Sequence, residues 1–230
     1  MRAMDALRVA LLREVLAGTE WSESTRRFAA SLRTSVAPRG RGGLLLVGSE
    51  RHEPWHLAAH LDDEAAWSGL PELSPTLVRH RVPESAPAHL SVGLGRVAAA
   101  GRGETLLVVA AEPPGEGLLE RVHDARRAGA TVLALDGGGD RTGGGAGTRG
   151  TGGGGAVELR GLAHDALSAD PDALDLDTLQ HLVCAAAGEE SAGPYGTNAG
   201  AGGPAKRGRG LRDRLSRLAD GLTAPPPARW

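Results

Sequence analysis

The stretch Gly103–Gly139, GETLLVVAAEPPGEGLLERVHDARRAGATVLALDGGG, decides the fold. Thr105–Ala111 is a continuous apolar run, and Pro113-Pro114-Gly115 is a loop. Leu118, Leu119, Val122 and Ala125 then recur at helical spacing, with Glu120, Arg121, Asp124, Arg126 and Arg127 on the other face. Gly129 stops this helix, and Thr131–Leu135 is a second apolar run. The result is one strand–loop–helix–strand unit. Strands that read as buried on both faces imply a parallel sheet covered by helices.

The same alternation extends outward. Towards the N-terminus, Leu44–Val47 is a first buried strand ending at Gly48-Ser49. Pro54 suits the first turn of a helix that runs through Leu57, Ala58, Leu61 and Ala65 to about Trp67. Thr76–Val82 alternates and reads as an edge strand, and residues 88–100 read as a helix in spite of Gly93 and Gly95. Two helices precede the first strand. Residues 3–17 carry Leu7, Leu11 and Val15 on one face, and residues 20–36 carry Trp21, Thr25, Phe28, Leu32 and Val36. Towards the C-terminus, residues 137–155 are nearly all Gly with Thr and Arg, a composition that buries too little apolar surface to order itself. Ala156–Leu159 reads as a short strand. Pro171-Asp172, Asp175 and Asp177 open a last helix with Leu176, Leu179, Leu182, Val183 and Ala186 inward.

The expected organisation is therefore N-terminal helices over 1–36 packed on an α/β domain over 37–187. A linker follows over 188–210, then a basic amphipathic helix over 211–222 (Leu211, Leu215, Leu218 and Leu222 on one face) and a disordered end over 223–230. The fold class is a three-layer, flavodoxin-like α/β arrangement, with a five-stranded, mostly parallel sheet and helices on both faces.

Composition narrows the function classes. The chain has 230 residues, enough for one α/β domain with a sizeable core, and a formal net charge of −2, which favours neither nucleic acid nor membrane. Lys206 is the only lysine, and Arg, Ala and Gly are abundant, as in the proteins of GC-rich bacteria. Cys184 stands alone, so no intramolecular disulfide forms and a reducing cytoplasm is expected. No apolar run approaches the roughly 18 residues of a transmembrane helix. The opening MRAMDALRVALLREV has Asp5 and Glu14 inside its apolar pattern, unlike a signal peptide. Few aromatics leave little for stacking bases, so nucleic acid is not an expected partner except through the Arg-rich tail helix.

This order of elements resembles the sugar isomerase (SIS) domain, a phosphosugar-binding superfamily, over about residues 20–187. Gly42–Ser49 looks like that family's first strand and Gly-Ser loop. Gly103–Ala111 followed by Gly115-Glu116 looks like its strand and Ser-x-Ser-Gly-Glu-Thr loop. Arg127–Leu135 looks like the next helix end and strand, and Leu179-Gln180-His181-Leu182 like the C-terminal helix that closes the site. The resemblance implies a small polar ligand such as a phosphosugar, a homodimer and no cofactor. It places ligand contacts at Gly48, Ser49, Gly115 and Gly117.

The loops depart from the family pattern in a chemically definite way. Glu112 and Pro114 stand where serines are usual, Gly117 where Thr is usual, and Glu50 and His52 replace a Gly and a Ser of the first loop. Phosphate binds hydroxyls and free N–H groups at a helix start, and Pro113 and Pro114 have no N–H to give. Glu112 and Glu116 add negative charge beside the expected anion. A divergent domain that binds a small polar ligand or a partner without catalysis is the leading expectation. An aldose–ketose phosphosugar isomerase using His52, His181, Glu112 and Glu116 as acid/base groups is the enzymatic alternative. A scaffold acting through the Arg-rich tail is the third reading. His52, His56 and His60 recur every four residues, and His56 and His60 share a helix face, which suits chelation with Asp62, Asp63 or Glu64. The sequence lacks the Glu of a zinc-protease motif, and no metal is expected. Residues 143–155 lack Gly-Lys-Ser/Thr and are not a phosphate loop.

Overall fold

A computed structural model describes residues 16, 18–36, 42–138, 154–170 and 172–188. The expectations for residues 3–17, the body of the Gly-rich run, most of the linker and the tail helix lie outside the described residues.

The described chain forms α1 (Glu20–Val36), β1 (Leu44–Gly48), α2 (Trp55–Ser68), β2 (Pro75–Val78), α3 (Gly95–Ala98), β3 (Thr105–Ala110), α4 (Glu116–Arg127), β4 (Thr131–Asp136), α5 (Gly154–Leu162), β5 (Asp165–Ser168) and α6 (Leu176–Gly188). Short 3₁₀ turns sit at Pro71–Leu73 and Ala88–Leu90. All five strands are parallel, in the order β2-β1-β3-β4-β5. This is the flavodoxin-like order. The central unit falls where its pattern puts it: β3 and β4 pair from Thr105↔Thr131 to Ala110↔Asp136, and α4 crosses between them. Gly129 takes the positive φ of 96° that ends the crossover.

Side-chain alternation along the strands feeds two cores. Leu44, Leu46, Leu107, Val109, Leu133 and Leu135 face α1, α2 and α6, where Phe28, Leu32, Leu57, Leu61, Leu179 and Val183 meet them. Leu45, Val47, Leu106, Val108, Val132 and Ala134 face α3, α4 and α5, meeting Val97, Leu118, Val122, Ala125 and Leu159. The chain is thus three layers deep. Among the described residues no helix is long and apolar enough to cross a membrane.

Three local expectations are corrected. Residues 156–159 are not a strand but lie in α5, and the last strand is Asp165–Ser168. Val157 is exposed while Ala156 and Leu159 are buried, a helical rather than an alternating spacing. Residues 88–100 are not one helix: a 3₁₀ turn and the four-residue α3 flank an extended bridge in which Gly93 pairs with Arg79. The last helix begins at Leu176, after Asp175 rather than Pro171, because Asp175 caps it by accepting the Thr178 N–H at 2.7 Å.

Candidate functional site

In a parallel sheet every strand delivers its C-terminal end to the same edge. Here α2 leaves β1 on one face and α4 leaves β3 on the other, so the crevice between β1 and β3 is the topological switch point. Two loops border it, residues 49–54 after β1 and 111–115 after β3.

The first loop is tightly closed. The Ser49 N–H donates to Val109 O at 3.0 Å, and the His52 N–H donates back to Ser49 O at 3.1 Å. A Cβ on Gly48 would fall 1.7 Å from His52 O, so only glycine permits this turn. Three consecutive residues after β2 fasten it from the side. Arg79 pairs with Glu53 at 3.2 Å, His80 Nε2 donates to Gly48 O at 2.9 Å, and Arg81 reaches Glu50 at 3.3 Å. The Arg81–Glu50 pair is exposed on both sides and contributes little. The Arg79–Glu53 pair is mostly covered, with the guanidinium carbon 5.1 Å from the Trp55 ring centroid and Trp55 Nε1 donating to Glu53 at 2.8 Å.

The second loop is tied to the first through Glu112, whose Oε1 accepts the Arg51 N–H at 2.9 Å. Glu112 therefore occupies a backbone donor that an incoming anion would need. On its other side, the buried Pro114 lies against α5, where a Cβ on Gly155 would come within 2.7 Å of Pro114 O. Gly115, Glu116 and Gly117 at the start of α4 are exposed, and no side chain caps this helix.

Two polar atoms stand out beside this edge. Ser49 is fully buried, and its Oγ finds no partner among the described residues; neither does His52 Nε2. Thr25 and Ser68 also have buried unpartnered hydroxyls elsewhere, so the feature gains meaning only from the position of Ser49 and His52 at the end of β1.

The remaining sequence candidate lies on the α2 face of the same edge. His181 comes from α6 and packs edge-to-face on His60, with ring centroids 4.7 Å apart. His60 stacks on His56 at 6.3 Å. These rings, with Leu57, Asp177, Thr178 and Gln180, line a cavity of about 170 Å³ between the first turns of α2 and α6. The helical pairing of His56 and His60 is thus observed, and His181 from α6 packs on His60. Among the described residues no group of three or more His, Cys, Asp and Glu side chains is arranged to hold a metal ion.

Sequence reasoning missed one polar centre at this edge. Asp136, at the end of β4, is 1 % exposed and accepts four hydrogen bonds. They come from Arg160 Nε at 2.9 Å, Arg160 Nη2 at 3.0 Å, Ser168 Oγ at 2.8 Å and the Gly138 N–H at 2.9 Å. A carboxylate closing an apolar strand just before glycines was the available signal.

No family model matches the sequence, and no curated protein matches it. Among solved structures, the chain is similar to a Salmonella typhimurium LT2 protein described as a “Putative sugar binding protein”, with 13% identity and a TM-score of 0.45. The match covers 81% of this chain and 47% of that one, so the chain spans about half the length of the structure it matches.

Proposed function

We propose that the chain is a divergent SIS-like domain that binds a small polar ligand at the C-terminal edge of its sheet, without catalysing a reaction on it. The observation that carries this reading is the polar-lined cavity between α2 and α6, at the edge where open α/β sheets receive ligands. The unpartnered Ser49 Oγ and His52 Nε2 support it from the neighbouring strand end. Against catalysis stands the scatter of the acid/base candidates. Glu112 is engaged with the Arg51 N–H, Glu116 is exposed at the start of α4 on one face, and His181 is packed on His60 on the other.

A thermal-shift panel of phosphorylated and unphosphorylated sugars, polyols and nucleosides tests the reading. A ligand at a hundred times its dissociation constant adds about 2.7 kcal/mol, which raises the midpoint of a domain this size by roughly 5–10 °C. The expected result is at least one such shift, lost in His181→Ala or in Ser49→Ala. No shift across the panel, or a shift that survives both substitutions, refutes it.

A further inference from the structure

We infer that the α2–α6 cavity takes an uncharged polyhydroxylated ligand, a single sugar or cyclitol ring, read by His56, His60, Asp177, Gln180 and His181. This rests on the preceding reading that the sheet edge binds a small polar ligand, and it fixes the charge of that ligand and its place.

Charge is decided by the lining. Among the described residues no Lys or Arg lines the cavity, whereas the Asp177 carboxylate does. A phosphate would find repulsion there and no cation. Some of the donors that usually attract anions to helix starts are also taken or absent. At α6, Asp175 already accepts the Thr178 N–H at 2.7 Å and the Thr178 Oγ1–H at 3.0 Å. At α2, Pro54 precedes the first turn and has no N–H. Over at β1, the Arg51 N–H is taken by Glu112. Among the described residues the cluster does not form a group of three or more ligands arranged for a metal ion.

The same groups suit hydroxyls. A hydroxyl both donates and accepts, and a neutral imidazole offers one N–H and one lone pair. The Gln180 Nε2 group already donates to Leu176 O at 3.3 Å and to Asp177 Oδ1 at 3.1 Å, which leaves its carbonyl and the second Asp177 oxygen to accept from hydroxyls. Asp177 and His181 are four residues apart on α6 and face His56 and His60, also four apart, on α2. The cavity is thus ringed by paired polar groups, and Leu57 supplies an apolar surface for ring C–H groups. Its volume of about 170 Å³ suits one small ring; pockets for drug-sized ligands run to roughly 300–1,000 Å³.

The test is titration calorimetry with saturation-transfer NMR on the full chain. The probes are glucose, galactose, N-acetylglucosamine, myo-inositol, sorbitol, glucose 6-phosphate, fructose 6-phosphate and zinc chloride. The variants are His56→Ala, whose exposed site leaves folding intact, Gln180→Ala and Ser49→Ala. At least one unphosphorylated compound should bind, at least tenfold more weakly to His56→Ala and unchanged to Ser49→Ala. Binding of the phosphorylated compounds alone, lost in Ser49→Ala, would overturn this inference and leave the ligand-binding reading standing. Zinc binding lost in His56→Ala with no polyol binding would overturn it as well. Silence from every probe counts against both.

Discussion

Replacing Asp136 with alanine should be among the most damaging single changes outside the apolar cores. The carboxylate accepts from four donors on three elements: Gly138 after β4, Arg160 on α5 and Ser168 at the end of β5. Hydrogen bonds to a charged group contribute about 1.5–3 kcal/mol each, so four would sum to roughly 6–12 kcal/mol if they were independent. They are not. The two Arg160 bonds form one bidentate contact. The Arg160 side chain is also 27% exposed against 2% for Asp136, so it is already partly solvated. The expected loss is therefore about 3–4 kcal/mol, the range for removing one member of a buried pair. For a domain of this size that lowers the melting temperature by roughly 6–16 °C. Urea denaturation followed by circular dichroism measures the loss directly. Arg160→Met should cost less, because Asp136 keeps Ser168 and Gly138, and a double-mutant cycle should return a coupling above about 1 kcal/mol. A loss below about 1 kcal/mol for Asp136→Ala, or zero coupling, would refute the reasoning.

Two further outcomes follow from titrating groups. The Arg96 guanidinium donates to Glu104, and this bond, aided by the Gly101 N–H at 2.9 Å and outweighing partial burial, holds the Glu104 carboxyl below its usual range. A depressed folded-state value contributes stability that is present above the unfolded value of about 4.3 and is lost as pH falls through the folded one. Glu104→Gln should therefore flatten the stability curve below about pH 4.3; urea midpoints that keep the parent's slope there would count against the pair. Cys184 is fully enclosed, and burial first, then the charges of Glu64 and Asp63, push its thiol well up. Its contribution is present below the unfolded value of about 8.5 and fades as pH rises through the folded one. At pH 8 the native protein should react with an aromatic disulfide reagent only as fast as α6 opens, and rapid stoichiometric labelling would contradict the packing.

Sequence disclosed most where pattern and burial coincide. The β3–α4–β4 unit was legible because strands buried on both faces admit only apolar residues, and because its helix alternates cleanly. The edge strands were harder. Asp165–Ser168 has one buried residue, Leu167, so its apolar signal is weak, and the nearby Ala156-Val157-Glu158-Leu159 was read as the strand in its place. The helix read over 88–100 failed because Gly93 lets the backbone run extended against Arg79. At the candidate site, the sequence showed that His56 and His60 share a face, since that depends on local spacing. It did not show that His181 would be their neighbour, nor that Glu112 would satisfy Arg51, because both contacts depend on how layers and loops close around the sheet.

The position of α6 also bears on how the chain is made. It is the last described helix, and it packs against both α1 and α2. During synthesis, β1, β3 and β4 emerge before anything can cover their α6 side, leaving Val109, Leu133 and Leu135 without the partners they have in the finished core. A nascent chain that stops short of Gly188 carries an open apolar face on a sheet that is otherwise assembled. Such intermediates are the ones that aggregate or engage chaperones. The helix that bears His181 is thus also the one whose arrival covers that face, and the candidate pocket is completed by the same element.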